Sequence, residues 1–242
     1  MTIAFSVGGY AVRFASSESE VHACQELRHQ CFQGRAGSDA DRFDALCQHL
    51  MVFSSRRLVA TCRLMKLESG CQTNKSYAAQ VYDLEPINDF NGRFLEIGRF
   101  CVLPELQDPN VLRICWAAIT KVVDSLHISM LFGCTSFNGT DPGPYTSGFG
   151  LLAERHLAPI SYRPRQYAPE TVKFDRVADL DVRSAVSQLP PLLRSYLNMG
   201  AWVSDHAVVD REMGTLHVFT GLEVARFSKR RARALRAVLT TA

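Results

Sequence analysis

The hydrophobic positions in the first part of the chain change from the period of a strand to that of a helix. Residues 10–16 alternate and predict a first strand, and residues 21–33 carry apolar side chains at helical spacing. Ser17 and Glu20 have the spacing of a capping box, which places the start of that helix. Residues 34–44 are rich in Gly and Asp, which predicts a loop.

The middle of the chain predicts four more strands and one strong helix. Residues 49–55 and 58–67 are expected to form a hairpin, and 94–103 and 129–137 are apolar runs of strand length. Residues 108–126 form an amphipathic pattern whose Asp-Pro start is favourable for a helix N-terminus.

The last third has weaker patterns. They predict, in chain order, a helix, a loop or edge strand, a second helix, a late strand and a basic helix, over residues 145–157, 163–174, 189–200, 215–224 and 226–236. The resulting order of strands and helices is typical of a mixed α/β layer.

Length and composition are those of an ordinary globular chain, with 242 residues, 47% hydrophobic and 21% charged. We expect one domain over residues 1–242, with about 160–242 as an extension integrated with it. The sequence shows no secretory signal and no apolar run of spanning length, which predicts a cytoplasmic protein. Eight cysteines without a C-x-x-C pair suit a reducing compartment and give no support to a metal site.

Charge is concentrated near the C-terminus. The net charge of +3 is too small to indicate a nucleic-acid partner, but residues 226–236 contain six basic side chains and no acidic one. Such a segment is either a solvated helix face or a docking surface for an acidic protein or an anionic membrane surface. The candidate docking residues are Arg226, Lys229, Arg230, Arg231 and Arg233.

Two charged residues interrupt the apolar strand at 94–103. Glu96 and Arg99 would point to opposite faces of a regular strand, because they are three residues apart. A bulge at Gly98 would bring both side chains to one face and make them a candidate catalytic pair. The alternative is an ion pair on the solvated face of an edge strand.

An acidic loop follows the first helix. Asp39, Asp41 and Asp44 precede His49, and Arg28 lies near the end of the helix. Carboxylates can hold an amino group and an arginine can hold a carboxylate, so the set would suit a zwitterionic amino acid. The alternative is a solvated turn with capping aspartates.

A Gly-rich turn directly follows the buried strand at 129–137. Ser136, Thr140 and Asp141 are expected near the end of that strand, where α/β folds often bind ligands. The alternative is a turn that leads into the next helix. Ser136 lacks the G-x-S-x-G elbow, so we do not interpret it as a nucleophile.

Several motifs occur in an order that resembles a known family. They resemble the ornithine lipid N-acyltransferases, in the hemolysin-like acyltransferase group of the GNAT superfamily, over nearly the whole chain. The motifs are L-R-x-x-C-F (27–32), D-R-F-D-A-L-C-x-H-L (41–50), T-C-R-L (61–64), L-E-I-G-R-x-C-V-L-P (95–104), F-G-C-T-S-F-x-G-T-D-P (132–142) and Y-L-x-x-G-A-x-V-x-x-x-A-V-V-D (196–210).

The resemblance implies a GNAT-like α/β fold with a mixed sheet, helices on both faces and a C-terminal basic helix. Its fourth and fifth strands, 94–103 and 129–137, would splay apart. It implies transfer of a 3-hydroxyacyl group from acyl carrier protein to the alpha-amino group of L-ornithine, giving lyso-ornithine lipid. No cofactor or metal would be bound, and the 4'-phosphopantetheine arm of the carrier would belong to the donor. The enzyme would be cytoplasmic, with the anionic inner face of the cytoplasmic membrane as a further partner.

The resemblance also implies roles for individual residues, by position. The related acyl-homoserine lactone synthases have site residues at places comparable to Arg28, Phe32, Asp41, Asp44, Glu96 and Arg99. We hypothesise that Glu96 is the general base, restrained by Arg99. With the residues singled out above, the expected substrate-binding set is Arg28, Phe32, Asp41, Asp44, His49, Arg63, Ser136, Thr140 and Asp141.

Two departures from the superfamily pattern bear on the donor and the acceptor. The Gly-rich loop that holds coenzyme A is replaced by residues 103–113, which favours a carrier-protein donor, and His217 stands where relatives are expected to have an acidic residue. The alternatives are another amine acceptor (lysine, glutamine or glycine), a homoserine-lactone synthase, or a non-catalytic binding module.

Overall fold

The computed structural model describes residues 3–106 and 108–240. By its internal contacts the chain divides into two compact units. The first unit contains the described residues of 1–66, 95–128 and 228–242, and the second contains residues 67–94 and 129–227.

Strands and helices alternate along the chain. The strands are β1 (Ala4–Val7), β2 (Tyr10–Phe14), β3 (Gln48–Ser54), β4 (Arg57–Leu67), β5 (Tyr82–Asp83), β6 (Arg93–Val102), β7 (Ile128–Asn138), β8 (Arg165–Gln166), β9 (Thr171–Lys173), β10 (Trp202–Asp210) and β11 (Thr215–Glu223). The helices are α1 (Glu18–Gln33), α2 (Pro109–Leu126), α3 (Thr146–Arg155), α4 (Val182–Gln188), α5 (Pro191–Asn198) and α6 (Lys229–Thr240).

The first unit is built on the strand order β1-β2-β3-β4-β6, with antiparallel pairing from β1 to β4. Helix α1 begins where the capping signature predicts, since the Ser17 hydroxyl accepts the Glu20 N–H at 3.3 Å. It ends at Gly34, whose φ of 66° is the left-handed conformation that favours glycine at a helix C-terminus.

Helix α2 also has the predicted start. The Asp108 carboxylate accepts the Asn110 N–H at 2.8 Å, and Pro109 supplies the first turn without needing an N–H partner. Its apolar side chains are buried over most of its length. Helix α6 packs against α2, and Arg236 makes a two-point ion pair with Asp124 at 2.7 and 2.8 Å.

The second unit has the antiparallel order β7-β11-β10-β9 and a small two-stranded pair, β5 and β8. Its core is one cluster of buried apolar side chains from β7, β10, β11 and helices α3 to α5. Outside this cluster, the buried Tyr82 hydroxyl donates to the His217 carbonyl at 2.8 Å and accepts the Phe219 N–H at 3.1 Å. Burial raises the pKa of Tyr82 well above its usual value.

Four of the strands and helices in the described residues were not predicted: β1, β5, α4 and β10. Strand β10 has polar residues at buried positions, Ser204 and His206, and a register shift between Val203 and Ala207, so its sequence has no clean alternation. The segment expected to be a loop or edge strand contains β9, which is the last strand in its sheet order. Within the described residues, no helix has the length and apolar character needed to cross a membrane.

Candidate active site

Arg28 of α1 is completely buried, and each of its N–H groups has an acceptor. Nε donates to Asp39 Oδ2 at 2.9 Å, and the two terminal nitrogens donate to both oxygens of Asp44 at 2.9 and 3.0 Å. The remaining donors reach His49 Nδ1, at 3.5 Å, and the Asp39 carbonyl. A guanidinium has five N–H groups, so this set of contacts uses all of them.

Two further arginines bind the same loop. Arg63 of β4 is 2% exposed and donates from one nitrogen to Asp41 at 2.5 Å and to Asp44 at 3.0 Å. Arg99 of β6 contacts Asp39 at 3.0 Å through Nε and Asp41 at 3.4 Å through Nη2. Charge-assisted contacts of this kind are stronger than neutral hydrogen bonds.

The six side chains form a closed ring of alternating charge, which we call the charge ring. Each arginine touches two aspartates and each aspartate touches two arginines, so the ring has no net charge. The order is Arg28, Asp39, Arg99, Asp41, Arg63, Asp44 and back to Arg28.

The loop also folds on its own aspartates. Asp41 accepts the Phe43 N–H at 2.8 Å, and Asp44 accepts the Asp41 N–H at 3.1 Å. Gln25 of α1 adds a contact to Asp44 at 2.9 Å. The aspartates thus cap a turn, as one interpretation of the loop expected, but they pair with arginines and are not solvated; binding of an amino acid by the loop stays a prediction.

The arginines of the ring hold Asp44 in its charged form. Burial by itself would raise the pKa of Asp44, but the hydrogen bonds and charges of Arg28 and Arg63 outweigh burial and lower it well below its usual value. Burial lowers the pKa of His49, whose Nε2 lies 3.1 Å from the Asp44 carbonyl. His49 is therefore held in its neutral form, with Nε2–H as donor and Nδ1 as acceptor.

Glu96 and Arg99 lie three residues apart on β6. Glu96 is 4% exposed, and Arg99 has a φ of 50°, which is a left-handed conformation inside a strand. The positive φ is at Arg99, one residue after the predicted bulge glycine. A methyl group added at Gly98 would lie 3.8 Å from Arg63 Nε, so the guanidinium packs close to this part of the strand.

The thiol of Cys47 is influenced by the charges of both a ring arginine and Glu96. Burial raises the pKa of Cys47 to about 12, with the Arg63 charge acting against this rise and the Glu96 charge adding to it. The structure thus brings Arg28, Asp41, Asp44, His49, Arg63 and Arg99 into contact, with Glu96 on the strand that carries Arg99.

The other predicted residues are placed differently. Phe32 is on α1 and 36% exposed. Ser136, Thr140 and Asp141 belong to the second unit, where Asp141 accepts the Gly143 N–H at 2.9 Å and so caps the turn. His217 lies opposite Ser136 in the β7–β11 pairing and is buried.

The basic docking candidates are divided between the units. Arg226 is in the second unit, where it pairs with Glu223 at 3.1 Å. Lys229, Arg230, Arg231 and Arg233 are exposed on α6 in the first unit, and none has an ion-pair partner in the part of the chain that the structure describes.

Asp39 was not among the predicted site residues, although it joins Arg28 to Arg99. The sequence contained a signal for it. Three aspartates in one loop match three arginines on α1, β4 and β6, and pairing each buried arginine with two carboxylates requires the third aspartate.

Comparisons with known proteins identify related chains. Residues 23–117 match the family model of the acetyltransferase (GNAT) domain. The L-ornithine N(alpha)-acyltransferase of Brucella abortus (strain 2308) is 31% identical, over 93% of this chain and 88% of the relative. The enzyme of the same name from Rhodobacter capsulatus is 32% identical, over 91% of this chain and 92% of the relative.

A solved structure shares the fold. A CoA-dependent acyl-homoserine lactone synthase, BjaI, solved with SAM and isopentyl-CoA, superposes with a TM-score of 0.53 at 11% identity. The match covers 92% of this chain and 83% of that chain. Together with the family model, this likeness confirms the GNAT-like α/β fold predicted from the sequence.

Proposed function

Because the chain belongs to the family of L-ornithine N(alpha)-acyltransferases, we propose that it acylates the alpha-amino group of L-ornithine. The donor is a 3-hydroxyacyl group on the 4'-phosphopantetheine arm of acyl carrier protein, and the product is lyso-ornithine lipid. The observation that carries this proposal is the match to two relatives of that name at 31% and 32% identity over more than nine-tenths of the chain.

Glu96 is the proposed general base. The acceptor amine is protonated near neutral pH and must lose a proton before it can attack. Glu96 takes that proton, and the amine nitrogen attacks the thioester carbon. The C–S bond then breaks, and the second proton lost by the nitrogen goes to the leaving sulfur, which gives the pantetheine thiol and an amide. Glu96 is 4% exposed, so bulk water has little access to the carboxylate. A positioned base contributes roughly 10²–10⁴-fold to rate.

The charge ring is the proposed support for that base. Arg28 and Asp44 were predicted to contact substrate, but the five donors of Arg28 are already bound within the protein. We assign both residues to holding the acidic loop against α1, β4 and β6. Asp41, Asp39 and Arg99 are the more exposed part of the ring, at 24%, 14% and 13% of their side chains, and Asp41 and Arg99 remain candidates for substrate contact.

Helix α6 is the proposed docking surface for the donor. Its outer face carries Lys229, Arg230, Arg231 and Arg233 without carboxylate partners in the described residues. Carrier proteins present acidic helices, so complementary charge would guide their encounter with this face. The anionic inner membrane surface is the second partner that this face would suit.

A product assay tests the reaction. Purified protein is mixed with 3-hydroxyacyl carrier protein and a panel of amino acids, and products are identified by mass spectrometry. We expect N-acyl ornithine, and none when acyl coenzyme A replaces the carrier protein. An acylated lysine, glutamine or glycine in its place would refute ornithine as acceptor, and turnover with acyl coenzyme A would refute the carrier-protein donor.

Glu96→Gln tests the base. The amide is isosteric but cannot accept the proton, so we expect kcat to fall roughly 10²–10⁴-fold. Glu68→Gln is the matched control, since Glu68 is a solvated partner of Arg93. Full activity of Glu96→Gln at every pH would exclude Glu96 as the base.

Charge reversal on α6 tests the docking surface. The double variant Arg230→Glu, Arg233→Glu should raise the apparent KM for carrier protein severalfold and flatten its salt dependence, leaving kcat unchanged. Lys75→Glu, an exposed lysine of the second unit, is the control. An unchanged KM, measured without membranes, would exclude α6 as the carrier-docking face.

A further inference from the structure

A second set of charged side chains lies in the second unit and has no part in the charge ring. It lines a pocket of about 660 Å³, which we call the mixed-charge pocket. The pocket is formed by the turn at residues 85–89, the segment 160–166, Lys173 of β9, and Asp205 and His206 of β10.

The cations of this pocket are only partly neutralised. Arg165 pairs with Asp83 and Glu85, at 3.4 and 2.7 Å. Arg163 donates from Nε and Nη2 to the Ala158 carbonyl, at 3.2 and 2.9 Å, and leaves Nη1 for another acceptor. Lys173 is exposed and has no ion-pair partner among the described residues.

A buried histidine and a neighbouring aspartate also line the pocket. His206 is 2% exposed, and its Nδ1 lies 2.7 Å from Asp205 Oδ1. Its Nε2 is buried without a hydrogen-bond partner among the described residues. With the proton on Nδ1 donated to Asp205, Nε2 is an acceptor, and a buried acceptor of this kind is costly unless a ligand satisfies it. Asp89 adds a second carboxylate, exposed and unpaired within the described residues.

The pocket therefore offers donors and acceptors next to one another, without a large net charge, and Lys173 lies opposite His206 in the β9–β10 pairing. A simple anion would meet Asp89 and Asp205, and a simple cation would meet Arg163 and Lys173. A zwitterion satisfies both groups, with its carboxylate near the two cations and its ammonium near Asp205, Asp89 and His206 Nε2.

We propose that the mixed-charge pocket binds a zwitterionic amino acid, through Arg163 and Lys173 for the carboxylate and Asp205, Asp89 and His206 for an ammonium group. The identity of the ligand rests on the proposed function, whose acceptor and product both carry an ornithine group. Two sources share this chemistry: free L-ornithine, and the headgroup of its N-acylated product. Ile160 also lines the pocket and is 86% exposed, which would place an apolar contact beside the headgroup of an acylated ligand.

Direct binding tests the proposal, with L-ornithine titrated into the full chain by calorimetry. We expect the double variant Arg163→Gln, Lys173→Gln to weaken Kd at least tenfold. The matched control Lys75→Gln, Arg176→Gln removes the same charges at exposed positions of the same unit that do not line the pocket, and should stay within twofold. Putrescine lacks the carboxylate and should bind at least tenfold more weakly than ornithine.

A second arm separates the two sources of the ligand. A short-chain N-acyl ornithine, kept below its micellar concentration, is titrated into the same proteins. Ile160→Ser should weaken this ligand severalfold and leave free ornithine unchanged if the headgroup of the product is bound. An equal effect of Ile160→Ser on both ligands, or on neither, would assign the pocket to the free amino acid.

The inference is overturned if the pocket variant binds both probes with wild-type affinity, or if wild-type protein binds neither. Its failure is distinct from failure of the proposed function. If the wild type and the pocket variant both make N-acyl ornithine with the same KM for ornithine, the proposed function stands and the proposed role of the pocket is wrong. If the protein binds ornithine through the pocket but forms no product, the pocket proposal stands and the proposed function is wrong. Glu96→Gln should bind ornithine with wild-type affinity.

Discussion

The charge ring of the first unit and the mixed-charge pocket of the second contain the same kinds of charged side chain. They differ in whether those side chains have partners within the protein. In the ring, Arg28 is fully buried and all its donors are bound to the protein. In the pocket, Lys173 is exposed and, within the described residues, lacks a partner, while buried His206 Nε2 has none either. Charged groups that are all paired within the protein hold elements of the fold together. Groups with unused donors or acceptors are suited to binding a ligand.

The comparison also separates two uses of an aspartate. Asp44 accepts from two buried arginines, and these contacts hold its pKa far below the usual range. Asp205 binds only a neighbouring histidine and has 47% of its side chain exposed. Substitution should therefore affect stability at Asp44 and ligand binding at Asp205.

Removing Asp44 should have the largest effect on stability. Asp44→Ala leaves Arg28 and Arg63 buried with lost partners, and breaking one side of a buried charge pair costs about 3–5 kcal/mol. Chemical denaturation monitored by circular dichroism measures this loss. Asp205→Ala is the comparison variant. If both variants lose the same free energy of unfolding, the distinction between fully paired groups and groups with unused donors or acceptors is wrong.

Arg28→Lys should have an intermediate effect. Lysine keeps the charge but offers three donors in place of five, so some acceptors of Asp39, Asp44 and His49 lose their bonds. Each buried acceptor left without a donor costs about 1–3 kcal/mol. The same denaturation experiment applies, with Arg211→Lys as control. A loss no greater than that of the control would show that charge alone, without the guanidinium geometry, holds the loop.

The protonation of His49 should produce a smaller, pH-dependent effect. Burial lowers its folded-state pKa below the usual 6.5, so the folded protein binds fewer protons than the unfolded chain. Stability is then complete above pH 6.5 and falls as pH drops from there through the folded-state pKa, by about 1.4 kcal/mol for each unit of difference. Stability measured from pH 7.5 to 5 should fall less steeply for His49→Gln. Identical slopes would exclude His49 as the source.

The smallest effect is expected at a solvated pair. Arg211 and Glu170 are 2.5 Å apart, but their side chains are 70% and 47% exposed. Exposed pairs contribute about 0–1 kcal/mol, so Glu170→Gln should change the free energy of unfolding by less than 1 kcal/mol. A larger loss would mean that ion-pair distance, rather than burial, sets the contribution of charges in this protein.

Local sequence signals predicted most elements of the first unit. Ser17 and Asp108 accept N–H groups at the starts of α1 and α2, as their positions predicted. Such caps depend on residues adjacent in the chain, so they can be inferred without the fold. In the second unit β10 was missed. Its buried polar residues Ser204 and His206 interrupt the apolar pattern, and their burial is evident only from the folded structure.

The residues of the charge ring could be named from the sequence, although Asp39 was left out of the substrate-binding set, but their pairing could not. Arg28 and Asp44 were predicted to hold a substrate, and the structure shows each of them bound to other members of the ring. The reason is that α1, β4 and β6 bring three arginines together from distant parts of the chain. Charge type is a local property, while the number of partners within reach depends on the packing of whole elements.

The amino-acid sequence alone was sufficient to identify the helix caps, the hairpin at 49–67, the GNAT-like fold class and the family resemblance, since these depend on short-range pattern and ordered motifs. The tertiary structure determined which charged side chains are paired within the protein and which are available to a ligand. The left-handed Arg99 belongs to that second category, as does Nε2 of His206, which has no hydrogen-bond partner within residues 3–106 and 108–240. Both arise from contacts between elements far apart in sequence, where periodicity carries no information.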